Sequence, residues 1–393
     1  MRHLAWDFFP NNKHNMNKTT KLLGLTTAIF AANSAFALPD FNTDLKDDLD
    51  PIWSHATLYK NSDNSVIQKI AFTGRLQGDY FTTENDETND SDSNTAWRRA
   101  RAGFKANVFN DFTVHSEADL NLRNPQPLYN GLTDAYIAWH PTDDWKIKFG
   151  KQSAGFTLDG ATSSKKLYRT ERSLIGDNIW FSKEYFVGVG ASGDVDQWQW
   201  KAGVFSNTQT EEFDQTFDNS YFILTSLGYD FAEQLDVDKA LLRLDYVYQD
   251  EPSKNDALDV VGTAAYEHVA SLSFQYDNGK KHIHTDLAYA QRYDGDDVYA
   301  LQIMPFYDLN DTFQIATSYT HIENSSGGKT LNVTRYAKNV QTGKTKSADE
   351  FYLGLNTYFY GHKLKWQNGV SYTLTDKDTY EGVTFTSGIR ISW

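Results

Sequence analysis

The sequence predicts an all-β chain: a sixteen-stranded antiparallel transmembrane β-barrel with short periplasmic turns and long external loops. Three observations carry that expectation. From Ile67 to Trp393 apolar and polar residues alternate in segments of about ten residues, the length a tilted strand needs to cross a bilayer. Tight turns and long polar loops separate these segments in alternation. An export signal precedes them. Soluble β-sandwiches and propellers also show period two, but they rarely combine it with these other features.

Composition fits this reading. Mean hydropathy is −0.59 and apolar content 40%, values that look soluble. A barrel shows lipid only every second strand residue, so such averages cancel. Aromatics reach 15%, which suits interfacial girdles. There is no cysteine, which removes disulfides, thiolate metal sites and cysteine catalysis. The formal charge of −15 argues against nucleic acid as partner.

Lys18 and Lys21 precede an apolar core at 22–32, too short to span as a helix, and Ala35-Phe36-Ala37 fits the small-x-small cleavage rule. Residues 1–37 are therefore expected to be a signal peptide, with Met16 as an alternative true start. Residues 38–66 carry Asp40, Asp44, Asp47, Asp48 and Asp50 without strand alternation. They read as an acidic periplasmic extension with a helical turn or two. The barrel is expected over 67–393.

Its strands are expected at 67–81, 97–108, 112–122, 131–139, 145–152, 183–192, 197–206, 220–231, 240–250, 264–276, 281–290, 298–307, 312–322, 350–360, 363–374 and 383–393. The turns on one side are Asn110-Asp111, Pro141-Thr142-Asp143, Gly193-Asp194, Asp277-Asn278-Gly279, Asn310-Asp311 and Gly361-His362. These residues accept or preset turn dihedrals. The other side has the longer loops 82–96, 153–182, 207–219, 251–263 and 323–349.

Parity sorts the faces. Ala100, Ala102, Phe104, Ala106 and Val108 oppose Arg99, Arg101, Lys105 and Asn107. Phe112, Val114, Ala118 and Leu120 oppose Thr113, His115, Glu117, Asp119 and Asn121. A one-residue slip would push every charge into lipid, so register is well determined. The expected inward bases are Arg75, Arg99, Arg101, Lys105, Arg123, Lys146, Lys148, Lys201, Arg243, Lys365 and Arg390. The inward acids are fewer: Asp79, Glu117, Asp119, Asp134, Asp245 and Asp286. The wall is thus net positive in a net acidic chain, which favours anions inside. The bland reading is ordinary lumen charge paired across strands with Glu117 and Asp119. Loop 153–182 either folds inward, bringing Lys165, Lys166, Arg169 and Arg172 to the narrowest point, or lies outside against lipopolysaccharide phosphates.

Three stretches make the chain resemble the phosphate-selective porin O and P family. They are Gly74-Arg75-Leu76-Gln77, Trp97-Arg98-Arg99-Ala100-Arg101-Ala102-Gly103-Phe104, and Ala161-Thr162-Ser163-Ser164-Lys165 followed by Glu171-Arg172-Ser173-Leu174. The resemblance implies a homotrimeric outer-membrane channel of sixteen strands, with the third loop as constriction. It matches Arg75, Arg98 and Arg99 to wall arginines and Lys165 to a constriction lysine. Two positions depart: Arg101 stands where phosphate-specific members carry tyrosine, and Thr113 where they carry lysine.

The expected function is passive diffusion of small hydrophilic solutes through the Gram-negative outer membrane, leaning toward phosphate or other small anions. The alternatives are a general or saccharide-permeable porin and, behind it, a structural or enzymatic barrel. No catalytic residue, cofactor or metal is expected. His282 and His284 share a face, but two ligands are too few for a metal. Gly188, Gly190 and Gly193 mimic a dinucleotide fingerprint in a strand with no helix after it.

Overall fold

The computed structural model describes residues 41–123, 126–179, 184–207, 212–214, 217, 220–250, 266–293, 295–376 and 379–393. The expected signal peptide lies outside them. A short strand β1 (Thr57–Lys60) precedes sixteen long ones: β2 (Ile67–Asn85), β3 (Asp90–Val108), β4 (Phe112–Leu120), β5 (Tyr129–Trp139), β6 (Trp145–Ser153), β7 (Tyr185–Val195), β8 (Trp198–Ser206) and β9 (Tyr221–Asp230). Then come β10 (Lys239–Gln249), β11 (Tyr266–Asn278), β12 (Lys281–Arg292), β13 (Val298–Asp308), β14 (Phe313–Asn324), β15 (Ser347–Tyr360), β16 (Leu364–Thr375) and β17 (Glu381–Ser392). Each of β2–β17 pairs antiparallel with the next. β17 closes on β2, from Thr384 opposite Thr83 to Ser392 opposite Arg75. The result is a closed sixteen-stranded barrel, so neither end of the sheet is left as an open edge in lipid.

Alternation holds across the wall. On β12 the residues His284, Asp286, Ala288 and Ala290 are buried while Ile283 and Leu287 are exposed. Exposed Leu244, Leu272, Ile303, Leu355 and Ile389 continue the outer apolar band on neighbouring strands. Among the described residues, no helix is long and apolar enough to cross a membrane.

Three expectations are corrected. Residues 82–96 are mostly strand: β2 and β3 run on together to a turn at 86–89. Thr82, Thr83, Ser91, Ser93 and Thr95 supply β-branched and hydroxyl side chains suited to strands, with Phe81, Thr83 and Asn85 buried on one face, and the interspersed acids hid the period. The acidic extension is more ordered than expected. It forms helix α1 (Phe41–Ser54) and then β1, which pairs with β2. The long loop expected at 323–349 is shortened, since β14 reaches Asn324 and β15 begins at Ser347.

The interior is also less uniformly polar than parity implies. Residues 154–179 leave the extracellular end of β6 and cross the lumen, carrying the short helices α2 (Leu158–Ala161) and α3 (Leu174–Asn178). Ala154, Phe156, Leu174, Ile175 and Ile179 pack on inward Phe186, Phe205, Phe222, Val247, Ala288, Ala290, Val298 and Ile322. Apolar surface is buried inside the barrel here. Segment 329–346 folds in above it: Leu331 joins this core, and Val333, Ala337 and Val340 cluster with Tyr380. The crossing segment therefore packs on the wall from β7 round to β17, and the charged side chains collect on β2–β6.

Candidate functional site

The crossing segment is tied to the wall by charged and polar bonds as well as by its apolar core. The Leu158 amide donates to Asp286 at 2.8 Å. Arg243 donates to the Thr157 carbonyl at 3.1 Å and pairs with Asp245 at 3.0 Å. Lys365 donates to the Leu167 carbonyl at 2.6 Å. Tyr168 stacks on Phe306 with centroids 4.3 Å apart. Arg169 pairs with Glu350 at 2.5 Å, donates to the Ser318 hydroxyl at 2.8 Å and lies over the Tyr352 ring.

Opposite that anchorage stand the arginines of β2 and β3. Arg75 pairs with Glu117 at 3.0 Å and donates to the Ser164 hydroxyl at 2.5 Å. Arg101 pairs with Asp119 at 2.9 Å and donates to the Tyr185 hydroxyl at 2.5 Å. Arg99 reaches Glu184 at 3.5 Å and donates to the Gln77 side-chain oxygen Oε1 at 3.0 Å. Strict parity would send Arg98 to lipid. A β-bulge shifts the register between Gln77 opposite Arg99 and Gly78 opposite Trp97, so Arg98 turns inward beside Arg99. There it grips Glu171 through two bonds, at 2.5 and 2.9 Å. Arg335 of the upper segment meets the same carboxylate at 3.4 Å.

Both loop carboxylates stay ionised in this setting. Burial pushes Glu171 up, but Arg98 and Arg335 outweigh it and hold the carboxyl down at about 2. Burial acts likewise on Glu184, and Arg99 and Arg172 outweigh it to hold that group at about 2. Each of these two carboxylates is shared by a pair of arginines, Glu171 by Arg98 and Arg335 and Glu184 by Arg99 and Arg172. The Arg98–Glu171 pair fastens the crossing segment to the wall.

The lysines differ. Lys105, Lys146 and Lys148 line the inner face of β3 and β6, and among the described residues none has a carboxylate within ion-pair distance. Lys148 sits over the Tyr136 ring at 4.5 Å. Lys165 extends from the crossing segment to the Trp393 carbonyl at 3.1 Å. Burial, then the nearby Arg75 charge, lowers the Lys165 ammonium to about 8.

Two cavities adjoin this wall. One of about 340 Å³ lies at the extracellular ends of β3–β7, bordered by Arg98, Arg99, Arg101, Lys151, Glu184 and Arg335. The other, of about 240 Å³, lies at the periplasmic ends of β5–β10, bordered by His140, Lys146, Lys201, Ser226 and Arg243. Lys146 thus borders the second cavity, two residues from Lys148 on β6.

The structure thus groups Arg75, Arg98, Arg99, Arg101, Lys105, Lys165 and Arg172, and sets the others apart. Arg169 is committed to the far wall. Lys166 is exposed. Arg123 was expected on a strand, but β4 ends at Leu120 and Arg123 is an exposed residue beyond it. Sequence reasoning did not single out Glu171, Glu184, Tyr185 or Arg335. For Glu171 a signal was present, since it sits within the Glu171-Arg172-Ser173-Leu174 stretch.

Comparison with known proteins agrees with this architecture. Residues 70–224 match the family described as phosphate-selective porin O and P. No curated protein matches the chain in sequence. Solved barrels do match in fold. The anion-selective porin from Comamonas acidovorans is 10% identical, with TM-score 0.58, over 82% of this chain and 99% of that one. Salmonella typhi OmpF in complex with daunomycin is 14% identical, with TM-score 0.57, over 83% and 98%. In-vitro folded OmpT of Vibrio cholerae, in its trimer form, is 14% identical, with TM-score 0.52, over 82% and 99%. At these identities the likeness establishes the fold. With the family match over 70–224 and the outer apolar band, the chain has the fold of an outer-membrane porin barrel.

Proposed function

We propose that the barrel is a passive, anion-leaning diffusion channel for small hydrophilic solutes, phosphate among them, working as a homotrimer and catalysing no reaction. One observation carries the sign of the selectivity: the wall arginines each meet a carboxylate, whereas among the described residues Lys105, Lys146 and Lys148 have none within ion-pair distance. Unmatched fixed charge lining a narrow aqueous path selects counter-ions. Segment 154–179 acts as the constriction by narrowing the lumen toward the β3–β6 wall. Arg75 and Arg98 tether it there through Ser164 and Glu171. Residues 38–66 serve as a periplasmic extension.

The test is planar-bilayer recording across a potassium chloride gradient. The expected reversal potential has the sign of chloride preference, and a cation-preferring sign refutes the reading. Phosphate added at constant chloride should reduce chloride current. An unaffected current would favour the general or saccharide-permeable alternative.

The reading also fixes a pH dependence. Lys165 faces Arg75, Arg101, Glu117, Asp134 and His115. Its ammonium is lowered to about 8, so it is charged at pH 7 and largely neutral at pH 9. Chloride preference should therefore fall as pH rises through 8, and the Lys165→Arg variant should keep it at pH 9. A pH-independent reversal potential in the unmodified protein would remove Lys165 from the conducting path.

A further inference from the structure

Strand β3 pairs with β2 from Asp90 to Val108, but β4 covers its other edge only from Arg101 onward. Above that point, residues 90–100 have no backbone partner on the β4 side among the described residues. Ser93, Asn94, Thr95 and Trp97 are exposed there. A strand edge with unpaired N–H and C=O groups is a template for another strand, and proteins usually blunt such edges with lysine, proline or a bulge. Residues 84–97 contain neither lysine nor proline, and the nearest bulge lies at Arg98. They carry Glu84, Asp86, Glu87, Asp90 and Asp92 and no basic residue.

The pairing sorts these side chains. Asp90 and Asp92 fall on one face of the hairpin, opposite Asn85 and Thr83 and with Asn94 next in line; one Asp92 oxygen accepts from the Asn339 side-chain amide at 2.7 Å, and Asp90 is exposed. Ser91, Ser93 and Thr95 fall on the other, opposite Glu84, Thr82 and Tyr80. At Arg98 and Arg99 the local charge changes sign, which ends the acidic run.

We propose that residues 90–97 of β3 form an extracellular docking edge for an extended cationic polypeptide segment. The segment adds as a further strand, with basic side chains at every second position beside Asp90 and Asp92. Main-chain hydrogen bonds supply affinity and the alternating carboxylates supply specificity. Charge complementarity selects this occupant over a second copy of the chain. A copy meeting the edge through its own hairpin would set aspartate against aspartate in a protein already at −15. The proposal is independent of pore selectivity.

The test uses the folded full-length protein in detergent and a fluorescent nine-residue peptide alternating lysine and threonine. Anisotropy should show saturable binding that weakens at least tenfold in the Asp90→Asn/Asp92→Asn variant. Binding should be lost for the same peptide N-methylated at every residue, which keeps its charge but cannot pair as a strand. Three results would overturn the proposal: no binding of the lysine peptide, equal binding of the N-methylated peptide, or equal binding of a glutamate–threonine peptide. Disulfide-linked dimers of Asn94→Cys in native outer membranes would also overturn it, by placing a second copy on the edge.

Discussion

Replacing Lys105, Lys146 and Lys148 together by glutamate should give the pore, proposed here to lean toward anions, a preference for cations. A unit charge about 4 Å from a passing ion in water is worth about 1 kcal/mol, so reversing its sign changes the interaction by about 2 kcal/mol. Screening by salt reduces this, and the three sites do not add fully. A net change of a few kcal/mol still shifts the permeability ratio by one to two orders of magnitude, since about 1.4 kcal/mol is tenfold. The reversal potential across a potassium chloride gradient should change sign. Because no ion pair holds these lysines among the described residues, the barrel should fold and assemble normally. An unchanged sign in a folded variant would move the selective charges elsewhere. Arg101→Gln makes the control. It frees the Asp119 carboxylate as it removes a cation, so its effect should be smaller per charge.

The second large effect concerns that segment. Arg169→Met should detach residues 163–172 from the β14–β16 wall and raise single-channel conductance at least twofold. The side chains of Arg169 and Glu350 are only 4% and 0% exposed. Removing one partner of such a pair leaves an uncompensated buried charge, a loss of about 3–5 kcal/mol. The apolar core around Phe156, Leu174 and Ile175 keeps the rest of the segment in place, so the barrel itself should survive. Trypsin should then cut the folded variant after Lys165 or Lys166. The double variant Arg169→Met/Glu350→Met removes both charges and should recover most of the original conductance. Unchanged conductance and protease resistance in the single variant would show that Tyr168 and the Lys365 bond to Leu167 suffice as anchors.

Much of this architecture was legible because a two-residue period forces the two faces apart. The parity of 97–108 and 112–122 places Arg99, Arg101, Glu117 and Asp119 inside, where the structure has them. Arg98 was not legible from parity, since a bulge leaves no mark in the period. The apolar interior left a signal that went unread. Phe186-Val187, Val204-Phe205 and Phe222-Ile223-Leu224 put large apolar side chains on both faces at once, the mark of a strand buried on both sides. Likewise Leu331, Val333, Tyr336 and Val340 are too apolar for a solvated loop, and Tyr336 stacks on Phe81 with centroids 4.1 Å apart. The pairing of arginines with Glu171 and Glu184 joins residues far apart in sequence. Only the fold reveals which cations are cancelled and which are not.

The joint between β17 and β2 has a consequence for how the molecule comes together. Trp393 exchanges amide bonds with Gly74, and immediately below it the Phe72 amide donates to the Ala56 carbonyl, where β1 takes over the same edge. Trp53 adds a bond from its indole nitrogen to the Ser392 carbonyl at 2.7 Å. One continuous rail of β2 is thus shared by the two extremities of the folded polypeptide. The Trp53 bond ties the two stretches to each other, so the seam that closes the ring is braced from both sides. Trimming residues 41–60 and trimming the last strand should injure the same seam.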